Sequence, residues 1–335
     1  MKQKHAYLLW LGLLTAVLLS CTAQAPAEPI VVSGAWVRPA QTMSVAYLQI
    51  SNHGRSPQQL VGVETAVAAS AELHETRLED DIMRMRPVDA VTIDPGATVA
   101  LAEGGLHVML MELAEPLLEG QTVPLTLHFA SGETVVVTAQ VRQVAVDALT
   151  VASATAVAQG TYVGQLVDPP VRVQDFELPS SKGGNGRLSD LDGQWRVIFF
   201  GYMHCPDFCP LTLVDYTQAK AALGDMAAEV TFIFISVDAA RDTPEQLQTY
   251  LAHFDSDFVG FAADDATLAR IQPDYGFYYE RRLASGADAI YTIDHSTRSY
   301  LLDRDGVLRA SFAYDTDPEV MAAALQWYLA QEQTN

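Results

Sequence analysis

Alternating apolar and polar positions dominate residues 30–145. Runs in which every second side chain is apolar predict β-strands. Short runs that often alternate in this way occur, for example, at Ile30–Val37, Val45–Ser51, Gln58–Val63, His107–Leu113, Val123–Phe129 and Thr134–Arg142. Turn-forming sequences such as Asn52-His53-Gly54 and Asp94-Pro95-Gly96 separate the runs. Short strands at this spacing predict an all-β sandwich or barrel.

From residue 171 the pattern changes to apolar runs that alternate with helix-like segments. The predicted strands are Val197–Phe200, Val230–Val237 and Phe258–Phe261, with a hairpin between Tyr291 and Leu308. The predicted helices are Leu211–Leu223, Pro244–Phe254, Ala266–Tyr275 and Pro318–Leu329. This alternation predicts an α/β domain over 171–335, with a sheet covered on both faces. Residues 146–170 carry little charge and predict a linker, part of which could be a strand of either neighbour.

The first 20 residues predict an export signal. Lys2 and Lys4 precede an apolar stretch, Ala6–Leu19, that is short for a membrane span. Leu18-Leu19-Ser20-Cys21 resembles the bacterial lipoprotein signal, in which the cysteine is lipidated. The alternatives are an ordinary secretory peptide or an uncleaved anchor. We therefore expect an exported chain, anchored by lipid on Cys21 to a bacterial membrane, facing the periplasm or cell exterior, with residues 21–29 as a tether.

Charge and cysteine content narrow the function. The formal net charge of −21 argues against nucleic acid as a partner, because phosphate binding needs clustered Lys and Arg. The chain has three cysteines. With Cys21 lipidated, Cys205 and Cys209 remain. An oxidising compartment would convert this close pair to a disulfide unless it binds metal or is kept reduced.

A set of soft side chains lies between residues 74 and 111. It contains His74, Met85, His107 and Met109, with Met83 and Met111 nearby. Cu(I) selects thioether, thiolate and imidazole ligands. Residues two apart in a strand share a face, so His107 and Met109 could clamp one ion. The alternative is that the methionines only fill the core and the histidines lie on the surface.

The spacing His-x10-Met-x21-His-x-Met resembles the motif of the periplasmic PCuAC copper chaperones. Similar surroundings include Trp36-Val37-Arg38-Pro39, Ala46-Tyr47 with Asn52, His74-Glu75-Thr76 and Met85-Arg86-Pro87-Val88. The resemblance covers about 30–142. It implies a cupredoxin-like β-sandwich with a Cu(I) site at one exposed end, held by the four motif residues.

A second set centres on Cys205 and Cys209, between a predicted strand and a predicted helix. A helix N-terminus favours thiolate over thiol. Thioredoxin-type redox enzymes usually have two residues between the cysteines and a facing proline. Here there are three, and no proline occurs between Pro273 and Pro318. Two thiolates with His295 suit copper, and Zn would also fit. The two cysteines could instead form a structural disulfide or a catalytic dithiol.

Residues 171–331 resemble the Sco/SenC proteins of cytochrome oxidase assembly. The matching segments are Gly201-Tyr202-Met203-His204-Cys205-Pro206-Asp207-Phe208-Cys209-Pro210, Val237-Asp238, Arg241-Asp242-Thr243-Pro244 and Asp294-His295-Ser296. The resemblance implies a thioredoxin-like fold and Cu(I) or Cu(II) held by Cys205, Cys209 and His295. Met203 stands where the family commonly has Thr. It is interpreted as packing rather than as an extra ligand, and Asp207 as tuning the thiols or capping the helix.

The sequence therefore predicts a fusion of the two domains that acts as a copper metallochaperone and not as an enzyme. Family resemblance implies the CuA centre of cytochrome c oxidase as the client. The rival hypothesis is a periplasmic thiol–disulfide reductase acting on oxidase cysteines, with the β-domain as copper scavenger. A thiol peroxidase or redox sensor is a weaker rival. His295 separates these hypotheses, because a copper site uses it and a plain dithiol reductase does not need it.

Overall fold

The structure is a computed structural model that describes residues 30–143, 162–283, 291–314 and 316–332. The predicted signal, the tether with Cys21 and most of the predicted linker lie outside these ranges. Among the described residues, no helix combines the length and the apolar character that a membrane crossing requires.

The first domain is the predicted all-β sandwich. Its strands are β1 (Ile30–Val37), β2 (Met43–Asn52), β3 (Gln58–Glu64), β4 (Ala68–Glu79), β5 (Ile82–Pro87), β6 (Val91–Ile93), β7 (Thr98–Leu101), β8 (Leu106–Leu113), β9 (Thr122–Phe129) and β10 (Thr134–Val141). Apolar side chains such as Leu48, Leu73, Val108 and Leu125 form its inner core. Strands β4 and β5 carry half of the first soft set.

The second domain is the predicted thioredoxin-like α/β fold. Its strands are β11 (Gln165–Arg172), β12 (Glu177–Pro179), β13 (Asn185–Arg187), β14 (Trp195–Gly201), β15 (Val230–Ser236), β16 (Val259–Ala262), β17 (Tyr279–Leu283), β18 (Tyr291–Ser296), β19 (Ser299–Leu302) and β20 (Val307–Phe312). Its helices are α1 (Phe208–Leu223), α2 (Pro244–Ala252), α3 (Asp265–Tyr275) and α4 (Pro318–Glu332), with 3₁₀ turns at Leu188–Leu191 and Gly224–Glu229.

The central sheet of this domain has the strand order β11-β20-β19-β14-β15-β16. The side chains of β14 are buried along its whole length, which explains its continuous apolar run. Strand β11 begins at Gln165, inside the segment assigned to the linker, and pairs with β20. The end of that segment is therefore a strand of the second domain.

The two domains are joined by backbone pairing between strands. The hairpin of β17 and β18 is not part of the second domain's central sheet. Its strand β18 pairs antiparallel with β5 of the first domain. Met83 is opposite His295, and Ile82 is opposite Ser296. One sheet in the described part of the chain therefore runs through both domains, in the order β17-β18-β5-β4-β8-β2 at this end.

Polar contacts hold both ends of this pairing. At one end, the turn between β4 and β5 places Asp80 and Asp81 at φ 53° and 59°. Two positive φ angles suit a tight two-residue hairpin turn. The carbonyl oxygen of Asp81 accepts hydrogen bonds from the backbone N–H (2.8 Å) and hydroxyl (3.0 Å) of Thr297. The carboxylate of Asp81 pairs with Arg298 at 2.7 Å.

At the other end, Arg86 donates two hydrogen bonds to the buried carboxylate of Asp294, at 3.0 and 2.7 Å. Arg282 approaches the same carboxylate at 3.2 Å. Burial raises the pKa of Asp294, but hydrogen bonds from Arg86 and Arg282 outweigh it and hold the pKa below the usual value. Asp294 is therefore a charged residue that the first domain helps to neutralise.

Candidate metal centres

One face of the β-sandwich carries the first soft set, and we call it the methionine face. Opposed residues of an antiparallel ladder share a face, and so do residues two apart along a strand. His74 lies opposite His107, Thr76 opposite Met85, and Val45 opposite Met109. By these pairings the methionine face comprises Met43, Val45, Tyr47, His74, Thr76, Met83, Met85, His107, Met109 and Met111.

His107 presents a lone pair to a thioether. Its Nδ1 lies 3.0 Å from the carbonyl oxygen of Gly105. A carbonyl can only accept, so Nδ1 carries the hydrogen and Nε2 of the neutral ring keeps its lone pair. Nε2 lies 3.0 Å from Sδ of Met85. A soft cation bound to both atoms would turn two facing lone pairs into two ligands.

His74 presents a second free lone pair. Its Nε2 lies 3.0 Å from the carboxylate of Glu72 and donates to it, while Nδ1 is buried without a hydrogen-bond partner. Burial lowers the pKa of His74, and the neighbouring His107 lowers it further, which favours the neutral ring. The His74 and His107 ring centroids are 5.9 Å apart. An unpartnered buried nitrogen beside a second imidazole fits a metal ligand.

The expectation of an exposed site is wrong for this chain. His107 is fully buried, and Met85 and Met109 are only 4% and 1% exposed. The methionines belong to the same apolar cluster as the core of the second domain, including Cys205 and Phe208. The exposed end of an isolated sandwich is covered here because β18 docks on β5 and brings the α/β domain over the methionine face.

The second soft set also forms one cluster. The sulfur atoms of Cys205 and Cys209 and a ring nitrogen of His295 all lie within 4.8 Å of one another. His295 donates from Nδ1 to the carbonyl oxygen of Ser296 at 2.8 Å, so Nε2 keeps its lone pair in the neutral ring. That nitrogen is 3.4 Å from the Cys209 sulfur. Both cysteines are free thiols in this structure, not a disulfide.

Local packing fixes the dithiol. A side chain at Gly201 would place its Cβ 2.7 Å from the Cys209 sulfur, so only glycine fits where β14 ends. Burial raises the pKa of Cys205, but the interactions with the neighbouring Cys209 and His295 outweigh it and hold the pKa well below the usual thiol value. Burial and the neighbouring Cys205 raise the pKa of Cys209. These opposite directions favour the thiolate form at Cys205 rather than at Cys209.

Asp207, between the cysteines, contacts the methionine face. It occupies the N-cap position of α1, but its side chain makes no capping hydrogen bond. Its carboxylate accepts hydrogen bonds from the hydroxyls of Tyr47, at 2.6 Å, and Thr76. Nδ1 of His107 lies 3.7 Å from the same carboxylate. A capping role was one interpretation of this residue; the structure instead places its carboxylate against the methionine face.

Two further residues near the dithiol lie outside the cluster. Met203 is partly buried and packs against the shared apolar cluster. Nε2 of His204 lies 3.2 Å from the Thr42 hydroxyl, and Nδ1 lies 3.4 Å from Asp242. His204, Asp238 and Asp242 also approach within 4.8 Å of one another, but Arg241 is paired with Asp238 at 2.5 Å. Asp238 of this group is therefore already paired with a cation.

The fold and the two donor sets define a two-domain protein whose second domain is a thioredoxin-like domain with a Cys-Cys-His cluster. Residues 166–330 match the SCO1/SenC family, and residues 30–141 match the LpqE-like lipoprotein family. The predicted fusion of a PCuAC-type and a Sco/SenC-type domain is thereby confirmed.

The second domain is similar to several known proteins. A SCO2-like protein of Rickettsia conorii is 32% identical over 152 residues, covering 45% of this chain and 74% of the relative. A protein of Stutzerimonas stutzeri, named for copper binding, is 34% identical over 141 residues, covering 41% and 67%. Bradyrhizobium japonicum ScoI, solved with copper bound, is 38% identical, with 47% and 98% covered and a TM-score of 0.43. The chain belongs to the SCO1/SenC family.

The opposite pKa shifts of Cys205 and Cys209 lead to a testable prediction. In a Cys21→Ser chain without metal, thiolate absorbance should titrate first for Cys205, well below the usual thiol range. Cys209→Ala should raise the pKa of Cys205, because the thiolate loses a hydrogen-bond donor. Cys205→Ala should abolish the low transition. An unchanged low transition in Cys209→Ala would show that the donor from Cys209 does not set this pKa.

Proposed function

We propose that this chain is an extracytoplasmic copper metallochaperone that binds Cu(I) at two sites and delivers it to a respiratory oxidase. The first site is His74, Met85, His107 and Met109, and the second is Cys205, Cys209 and His295. The single observation that carries the proposal is the Cys-Cys-His cluster, whose three ligand atoms lie within 4.8 Å. Copper is the cargo, not a resident cofactor.

The first donor set suits Cu(I) because all four ligands are neutral and soft. Thioethers carry no proton and cannot be trapped as a disulfide, although they can be oxidised to sulfoxides. Buried neutral donors also avoid the large desolvation cost of buried carboxylates. The unpartnered Nδ1 of His74 and the Nε2 of His107 facing Met85 support this assignment.

The second donor set suits Cu(I) or Cu(II) because it combines thiolate with imidazole. Cys205 already has a thiolate-favouring environment, while copper would displace the proton of Cys209. Nδ1 of His295 is held by a carbonyl, which orients Nε2 for binding. The name of the Stutzerimonas relative supports copper as the ion.

The client and the location rest on family. Membership of the SCO1/SenC family supports a role in cytochrome oxidase assembly, and we propose the subunit carrying the CuA centre as the recipient. The match to an LpqE-like lipoprotein family supports export and a lipid anchor at Cys21. The acidic chain has no role in nucleic-acid binding under this proposal.

The opposite pKa shifts of the two thiols favour a second candidate function, a thiol–disulfide reductase acting on oxidase cysteines. A low-pKa thiolate beside a protonated thiol is the arrangement that dithiol exchange uses. However, Cys205 is 2% exposed and Cys209 fully buried beneath the first domain. A reductase would need the domains to separate before a protein disulfide could reach Cys205, and delivery of copper to a client protein would need the same separation.

The stoichiometry of copper tests the proposal. The mature chain should bind two Cu(I) ions in native mass spectrometry. Met109→Leu should remove one high-affinity ion, because it deletes a ligand while nearly conserving volume. The matched control is Met321→Leu, since Met321 is equally buried but lies on α4. The control should keep both ions. Two tightly bound ions in Met109→Leu would refute the assignment of the first site.

His295→Ala separates chaperone from reductase. Both hypotheses need the cysteines, but only the copper site needs the imidazole as a ligand. In the Met109→Leu chain, His295→Ala should lower copper affinity by about tenfold or more, roughly 1.4 kcal/mol. It should also slow dithiol oxidation by a small disulfide, because His295 helps to keep the pKa of Cys205 low, so copper affinity is the measurement that separates the hypotheses. His253→Ala, at an exposed histidine outside the clusters, is the control. Normal copper affinity with slowed thiol exchange would instead support the reductase.

A further inference from the structure

All three residues of the second donor set belong to the α/β domain. A residue of the first domain, Met83, lies next to this set. Met83 is opposite His295 in the pairing of β5 with β18. Opposed residues of an antiparallel pair have Cβ atoms about 4.5–5.5 Å apart and project from the same face. On that face, the His295 ring reaches the Cys209 sulfur at 3.4 Å. The side chain of Met83 therefore leaves the backbone beside the dithiol cluster.

Burial agrees with this direction. Met83 is fully buried and belongs to the same apolar cluster as Cys205 and Cys209. A methionine side chain is long, unbranched and adaptable, so its sulfur can follow a neighbouring ion. Met83 is not one of the four residues of the first motif. Packing alone would explain the position of Met83 only if its sulfur did not interact with the neighbouring cluster.

The backbone at Met83 is also unusually well fixed. Asp81, two residues before it, is bound by Thr297 and Arg298, the residues that follow β18. Arg86, three residues after it, is bound to Asp294, the neighbour of His295. Contacts on both sides of Met83 thus lock the strand that carries it against the strand that carries His295. This fixed placement is what a ligand shared between domains requires.

We propose that Met83 of the first domain is a further copper ligand of the second site, so that Cys205, Cys209 and His295 are completed across the domain boundary. This inference rests on the proposed function. Binding adds one copper–thioether bond to Cu(I) and needs no proton transfer, oxidant or reductant, because a thioether has no proton to lose. Copper held by the second domain is then stabilised by docking of the first domain.

The test uses selenomethionine in place of methionine, because selenium bound to copper gives a distinct signal in copper X-ray absorption. The chain carries Met85→Leu and Met109→Leu, which remove the first site, and is loaded with one Cu(I). We expect a selenium neighbour of copper. Met83→Leu should remove the selenium signal and weaken copper binding about tenfold, while Met203→Leu should change neither. Circular dichroism verifies that the variants are folded.

Copper bound without a selenium neighbour would overturn the proposal and leave the proposed function intact. This result needs no substitution at position 83, so it stands even if Met83→Leu misfolds. A selenium signal that Met203→Leu removes and Met83→Leu retains would also overturn it, and would assign the ligand to Met203. A chain that binds no copper at all would refute the second copper site itself, and with it this inference.

Discussion

The pairing of β5 with β18 is the interaction on which the rest of this structure depends. It joins the sheet of one domain to a hairpin of the other and sets Met83 against His295. Hydrogen bonds from Thr297 to the Asp81 carbonyl, and from Arg86 to Asp294, fix both ends of the pairing. Strand register is all-or-none, because a slip of one residue would turn every side chain to the opposite face. The relative position of the two donor sets follows from this register.

Docking changes the environment of both donor sets. It buries the methionine face and places the carboxylate of Asp207 between the sets, bound to Tyr47. Burial and Asp207 raise the pKa of Tyr47 well above the usual value, so its phenol remains a hydrogen-bond donor. Burying a thioether or a neutral imidazole costs little free energy, whereas a buried carboxylate needs hydrogen-bond donors around it. The interface satisfies both requirements, and it keeps both donor sets away from water.

The sequence predicted the two fold classes, and its motifs identified the residues of each donor set. It did not predict how the domains meet. The apolar run of β14 and the alternation in β9 are local signals that survive in any context. The alternation of β4 is blurred because its methionine face, which another domain covers, carries the polar residues His74 and Thr76. Asp207 illustrates the same limit: its partners, Tyr47 and Thr76, are more than 100 residues away. The exposed copper site implied by the resemblance failed for this reason.

The closed arrangement of the domains is tested most directly by backbone contacts across the pairing in solution. In the full mature chain without metal, nuclear Overhauser effects between backbone protons of Met83 and His295 should be observed. Those between Thr76 and Met85, within the β4–β5 hairpin, provide an internal reference. Comparable contacts at both pairs would agree with the docked structure. Contacts at Thr76 and Met85 with none between Met83 and His295 would contradict it, since the two donor sets would then not face each other.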